Sequence, residues 1–215
     1  MTGASQNRAG FVALIGAPNA GKSTLLSGLA GLLEPLGGEF KIDGVTMRLI
    51  DPADLRRDIG YMGQNARLFH GTLRENLALG APLADDRAML AKLEDLALAE
   101  FVQKLPEGLD HMVQEGGLGL SGGQRQGLLL ARLMLRDPRV LLLDEPTATL
   151  DEVAENTAIN TLGALDQDAT LIVATHRPAL LRIVDRLIVV NDGAVVMDGS
   201  KDKVIASLRA GRAAA

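Results

Sequence analysis

The chain has 215 residues, 47% of them hydrophobic, with three histidines and no cysteine. That is enough to bury one sizeable core, and it excludes a disulfide framework or a thiolate metal site. A formal charge of −5 without any dense run of Lys and Arg argues against nucleic acid as a partner.

In chain order, Phe11 to Ile15 is a short apolar run ending in a Gly/Pro/Asn turn, and Lys22 to Leu33 follows at helical spacing. Phe40 to Val45 alternates like a half-exposed strand, and Ile59 to Met62 is a second short buried run. The pattern then turns helical over Thr72 to Leu77, Asp85 to Lys104 and Gln124 to Arg136. This predicts a helical lobe, residues 72–136, inserted in a single domain that spans 1–215. Strand signals return at Val140 to Leu143, Thr170 to Ala174 and Leu187 to Val190, with a helix predicted over Glu152 to Leu165. The tail from Lys203 reads as a short helix that frays towards Ala215. Consecutive β, α, β units in this order predict an α/β fold, a mostly parallel buried sheet flanked by helices. The longest apolar runs fall far short of the ~20 residues that cross a bilayer. The opening MTGASQNRAGF lacks the apolar stretch of a secretory leader, which places the chain in the cytoplasm.

Three segments carry chemistry. Gly16-Ala17-Pro18-Asn19-Ala20-Gly21-Lys22-Ser23 matches the G-x-x-x-x-G-K-[ST] pattern between a strand and a helix. Its glycines let backbone N–H groups turn inward around phosphates, with the positive end of the helix behind them. Lys22 then reaches the outer phosphates and Ser23 ligates Mg²⁺. Val140 to Leu143 is a buried strand delivering two carboxylates, Asp144 and Glu145, into a crevice at its C-terminal end. Asp144 suits a metal shell and Glu145 a general base for the attacking water. Read alone the pair could equally be an acidic helix cap; with the phosphate-binding loop upstream the catalytic reading prevails. Leu120-Ser121-Gly122-Gly123-Gln124 is a second glycine-rich helix start ready for phosphate. One nucleotide has no use for two such loops unless the second comes from a neighbouring chain.

With that segment, the sequence resembles the nucleotide-binding domain of ABC transporters, a P-loop NTPase whose signature is LSGGQ. The resemblance implies a Walker A loop from Gly16 to Thr24, and a Q-loop glutamine at Gln64 that contacts Mg²⁺ and senses the membrane domain. It makes Asp144 the Walker B aspartate, Glu145 the catalytic glutamate, Asp151 the D-loop aspartate and His176 the switch histidine that meets the γ-phosphate. ATP and Mg²⁺ are the implied cofactors. Two such domains would meet head to tail, Ser121, Gly122, Gly123 and Gln124 of one acting on the ATP of the other, with the helical lobe as the signalling subdomain. The partners implied are a second nucleotide-binding domain, as a homodimer, and the transmembrane domain of an exporter, at the cytoplasmic face of the membrane.

The stretch Leu68 to Leu77 and Glu115 in Gln114-Glu115-Gly116-Gly117 resemble exporters. The run Thr175 to Leu181 with Val184-Asp185-Arg186 is most similar to bacterial type I secretion ATPases, which export proteins. Only 15 residues precede Gly16, where the family usually has about thirty that include an adenine-stacking aromatic, so the sequence reads as truncated at its front. No stacking residue is assigned, and losing one should weaken ATP binding by ~1–3 kcal/mol. The alternative function is therefore a weakly ATP-binding, non-hydrolysing interaction module. Pro18 and Asn19 also occur in small GTPases, but the guanine-reading Asn-Lys-x-Asp element is missing from the sequence.

Overall fold

A computed structural model of the chain describes residues 10–166 and 168–213. The readings made for the opening residues as no secretory leader and for the last two residues of the tail fall outside that range. Six strands form one sheet: β1 (Phe11–Ile15), β4 (Ile59–Met62), β7 (Val140–Asp144), β8 (Thr170–Ala174), β9 (Arg186–Asn191) and β10 (Ala194–Ser200). Their order is β10-β9-β1-β8-β7-β4, with every pairing parallel except the β9–β10 hairpin at the edge. The fold is the α/β arrangement expected. Because β4, β7, β8 and β1 run the same way, the loops leaving their C-terminal ends all emerge on one side of the sheet.

The sheet is buried on both faces, which is why its strands read as continuous apolar runs. In β7, Leu141 and Leu143 join a large cluster with Leu73, Leu77, Leu93, Leu128 and Leu130 on one side, continuing into Leu171 and Val173 of β8. Leu142 points the other way, into a cluster with Leu14, Ala174 and Leu26 of helix α1 (Lys22–Leu29). The two-residue period therefore sends Asp144 to the α1 side.

The helical segment holds α3 (Leu73–Ala78), α4 (Asp86–Asp95), α5 (Ala99–Gln103) and α6 (Gly122–Met134). One predicted helix, Asp85 to Lys104, is two. Asp85 caps the start of α4, its carboxylate accepting from the Ala88 N–H at 2.8 Å. The helix ends where Ala97 adopts φ 56, with the Leu98 N–H reaching the Leu93 carbonyl at 2.7 Å and the Ala97 N–H the Glu94 carbonyl at 2.9 Å. This is a complete Schellman ending with alanine where glycine is the usual signal, so composition did not announce it.

The strand expected over Phe40 to Val45 is a hairpin, β2 (Lys41–Ile42) and β3 (Val45–Thr46), turning on Asp43-Gly44. The elements that went unpredicted include α2 (Pro52–Asp58), capped by Asp51, and the antiparallel strand β10. A two-residue pairing of β5 (Gly71–Thr72) with β6 (Met112–Val113) also lies within the helical segment. α7 (Glu152–Gly163) lies between β7 and β8, and α8 (Lys201–Ala213) packs Val204 against Val184 and Leu187. Among the described residues no helix is long and apolar enough to cross a membrane.

Candidate active site

A cavity of about 570 Å³ opens where the C-terminal ends of β1, β4, β7 and β8 converge. It is lined by Gly16, Pro18, Asn19, Ala20, Gly21, Lys22, Ser23, Thr24, Gln64, Asp144, Glu145 and His176. Residues drawn from four separate stretches of sequence thus share one crevice.

The loop between β1 and α1 is shaped by what surrounds it. At Gly16 (φ 148) a Cβ would stand 2.0 Å from the Val190 carbonyl oxygen, so only glycine lets the loop pass the neighbouring strand. The turn of the β9–β10 hairpin holds the loop from outside, the Gly193 N–H donating to the Ala20 carbonyl at 3.0 Å. Gly21 sits at the N-cap of α1 with φ 96 and provides no side-chain cap. The first intrahelical bond runs from the Leu25 N–H to the Gly21 carbonyl at 3.0 Å. The N–H groups of Lys22, Ser23 and Thr24 are therefore the helix's orphan donors, and their residues line the cavity. Lys22 is buried and its Nζ donates to the Gly16 and Ala17 carbonyls at 3.0 and 2.7 Å. Donors and cation together make a binding surface for a phosphate chain.

Opposite them, Asp144 is only 5% exposed and lines the cavity. No buried side-chain N or O atom among the described residues is left without a partner, so its carboxylate opens to the cavity, where a cation can meet it. With the Ser23 hydroxyl and the Gln64 amide oxygen, both exposed on the cavity wall, it offers a set of hard oxygen donors that fits Mg²⁺, which keeps waters and substrate phosphates as its other ligands.

Glu145 follows with φ 50, a left-handed conformation that costs a non-glycine residue about 1–3 kcal/mol and swings its side chain out of the strand's alternation. Its N–H donates to the Ala174 carbonyl of β8 at 2.9 Å. Its carboxylate lies 2.8 Å from Nδ1 of His176, and the Thr175 hydroxyl donates to its other oxygen at 3.3 Å. Glu145 is 14% exposed and His176 68%, so the carboxylate is sheltered while the imidazole faces solvent. A carboxylate fixed by two neighbours and facing a phosphate-binding surface can take a proton from a water between them.

In the sequence, Thr175 was placed in the run after the strand Thr170 to Ala174 and was given no role. It is fully buried and anchored to β1, its N–H donating to the Leu14 carbonyl at 3.1 Å. Its immediate position before His176 was the available signal.

The signature segment stands apart. Ser121, Gly122, Gly123, Gln124 and Asp151 line surfaces other than this cavity. Ser121 and Gln124 form a capping box at the start of α6: the Gln124 N–H donates to the Ser121 hydroxyl at 3.1 Å and the Ser121 N–H to the Gln124 side chain at 2.9 Å. The S-x-x-Q spacing was its sequence signature. Asp151 caps α7, accepting from the Ala154 N–H at 2.9 Å.

Comparison with known proteins decides the family. The ABC transporter family model matches residues 4–148, well over half of the chain. The chain belongs to the ABC transporter family. It is 38% identical over 195 residues to a mycobactin import ATP-binding/permease protein of Mycolicibacterium thermoresistibile, covering 91% of this chain and 34% of that one. It is 42% identical over 188 residues to a glutathione/L-cysteine transport system ATP-binding/permease protein of Haemophilus influenzae, with 87% and 32% covered. An ATP-dependent lipid A-core flippase of Vibrio vulnificus is 38% identical over 195 residues, with 90% and 33% covered. Among solved structures, a bacterial Atm1-family ABC exporter with ATP bound aligns with a TM-score of 0.87 at 32% identity, covering 93% of this chain and 35% of that one. The chain is an ABC-type ATP-binding, ATPase-family domain, and it spans about a third of the length of these relatives.

Proposed function

We propose that the chain binds ATP with Mg²⁺ in the cavity between α1 and the ends of β7 and β8, and hydrolyses it as one half of a head-to-tail pair. Gly16, Asn19, Ala20 and Gly21 shape the phosphate loop, and the N–H groups of Lys22, Ser23 and Thr24 with the Lys22 ammonium bind the outer phosphates. Ser23, Gln64 and Asp144 would hold Mg²⁺, which would supply positive charge beside the transferring phosphoryl group. Glu145 takes the proton of the attacking water, and His176 steadies the Glu145 carboxylate while donating towards the γ-phosphate.

The observation that carries this reading is an asymmetry. Eleven residues singled out in the sequence line one cavity, whereas Ser121, Gly122, Gly123, Gln124 and Asp151 lie outside it. A chain with one such cavity and a separate phosphate-ready helix start is complete when two copies exchange the second feature.

The partner that receives the work is a transmembrane domain, reached at the cytoplasmic face of the membrane. A groove of about 490 Å³ with Gln64 on one side and Glu115 on the other supports docking there, because it joins the cavity wall to the helical segment 72–136. Export of a protein is the narrower reading, resting on the run Thr175 to Leu181. The relatives named for mycobactin, for glutathione and L-cysteine, and for lipid A show that similar ATPase domains serve different cargoes.

Steady-state hydrolysis and light scattering test the proposal together. Glu145→Gln should lower kcat by about 10²–10⁴-fold, the share that a general base contributes, and the blocked variant should pass from monomer to dimer only with ATP. No Mg²⁺-dependent turnover in the unaltered chain, with a monomer at millimolar ATP, would leave a non-hydrolysing interaction module as the better description.

A further inference from the structure

Behind the Glu145–His176 pair lies a polar cluster that the catalytic reading leaves unused. Arg177, next to His176, places Nη1 3.2 Å from Oε1 of Glu155 on α7 and donates from Nη2 to the Ala148 carbonyl at 2.7 Å. The same Glu155 oxygen accepts from the buried Thr147 hydroxyl at 2.8 Å. The Arg177 N–H donates to the Thr175 hydroxyl at 3.0 Å, and that hydroxyl in turn donates to Glu145. The loop 146–151 is thereby fastened at Thr147 and Ala148 to the loop that carries His176. Its outer side is fastened to α6, since the Thr149 hydroxyl donates to the Gly122 carbonyl at 3.1 Å and the Gln126 side chain to the Pro146 carbonyl at 2.9 Å.

We propose that Arg177, held by Glu155, is a positioning residue that locks the loop 146–151 between the chain's own cavity and its signature segment. The inference rests on the ATPase reading above. The planar guanidinium meets a carboxylate and a carbonyl at once, a geometry a lysine ammonium cannot reproduce. Arg177 is about a third exposed and Glu155 mostly buried, so the pair is sheltered enough to hold shape. Movement of His176 on γ-phosphate binding or release is then carried through Ala148 and Thr149 to Gly122. One nucleotide site is coupled in this way to the surface that completes the other.

The test is a series of Arg177→Ala, Arg177→Lys and Glu155→Gln in the full chain, read by hydrolysis kinetics and amide hydrogen exchange. In Arg177→Ala, kcat should fall about 10- to 100-fold, the range expected when a small misplacement spoils geometry, with KM for ATP unchanged. The amides of Ala148 and Leu150, which close the loop onto the Glu145 and Thr147 carbonyls, should exchange faster in the same variant. Arg177→Lys should recover part of both, and Glu155→Gln should shift both in the same direction by less. Unchanged exchange at Ala148 and Leu150 overturns the proposal, and so does faster exchange with kcat unaltered. Glu145→Gln in the same series reports on hydrolysis itself, so failure of the clamp and failure of the ATPase reading give different patterns.

Discussion

Helices α1 and α6 both begin in a glycine-rich turn, and their first turns are completed in opposite ways. α1 starts at Gly21, which has no side chain to give, and its orphan N–H groups open into the cavity beside Lys22. α6 starts at Ser121, whose hydroxyl and whose partner Gln124 satisfy two donors within the helix itself. The first arrangement is incomplete by itself and is finished by an anion. The second keeps its shape unaided and leaves the Gly122 and Gly123 N–H groups to meet a ligand, outside the cavity that holds Lys22, Asp144 and Glu145. Similar glycine content thus encodes a binding site in one place and a preformed complementary surface in the other.

The largest effect that would break the comparison is expected at Gly16. A methyl group there meets the Val190 carbonyl at 2.0 Å, and φ 148 suits glycine. Gly16→Ala should cost at least about 3 kcal/mol, near the upper range for forced packing, and should abolish ATP binding. Thermal unfolding and binding of a fluorescent ATP analogue check both. A variant that binds normally would mean that the loop adapts, and that its shape is not imposed by β9.

Ser121→Ala is the matching change on α6, with a smaller and different result. Loss of the cap should lower stability by about 1 kcal/mol. ATP binding to the single chain should be unchanged, while turnover, which needs the completed pair, should drop. Weakened binding by the monomer would show that the signature segment reaches its own cavity and would remove the distinction between the two helix starts.

The two helix starts also differed in how far the sequence could be read. The α1 loop was legible because a strand, two glycines, a lysine and a serine at fixed spacing must all coincide to cradle phosphate, and each leaves a mark on residue type. Asp144 and Glu145 were legible by the same logic, as carboxylates ending a buried strand. What was hidden depends on partners distant in sequence. The need for Gly16 comes from Val190, the loop's outer support from Gly193, and the fixing of Glu145 from Thr175 and His176. Asp51-Pro52 and Asp192-Gly193 carried local signals for α2 and the β9–β10 turn that went unused. The break at Ala97 carried none, because tertiary packing of Leu98 and Leu93 holds an alanine in a glycine's conformation.

The smallest effect sharpens how the α1 loop is held. Arg186 and Asp198 bridge β9 and β10 through two hydrogen bonds of 2.7 and 2.6 Å, which hold the Asp198 carboxyl below the usual aspartate range, with the Arg186 charge adding to the shift. A depressed carboxyl stabilises the fold above the ordinary aspartate value of about 4 and loses that contribution as pH falls through its own lower value. The pair is largely exposed, 56% and 38%, so solvent and salt screen it, and Asp198→Asn should cost less than about 1 kcal/mol at pH 7 and nothing once pH falls below both values. The pair ties the open end of the hairpin, whereas Gly193 touches Ala20 at its turn. ATP affinity should therefore stay constant while the melting temperature falls slightly. A parallel loss of affinity would mean that the whole hairpin, rather than its turn and Val190, keeps the α1 loop open to phosphate.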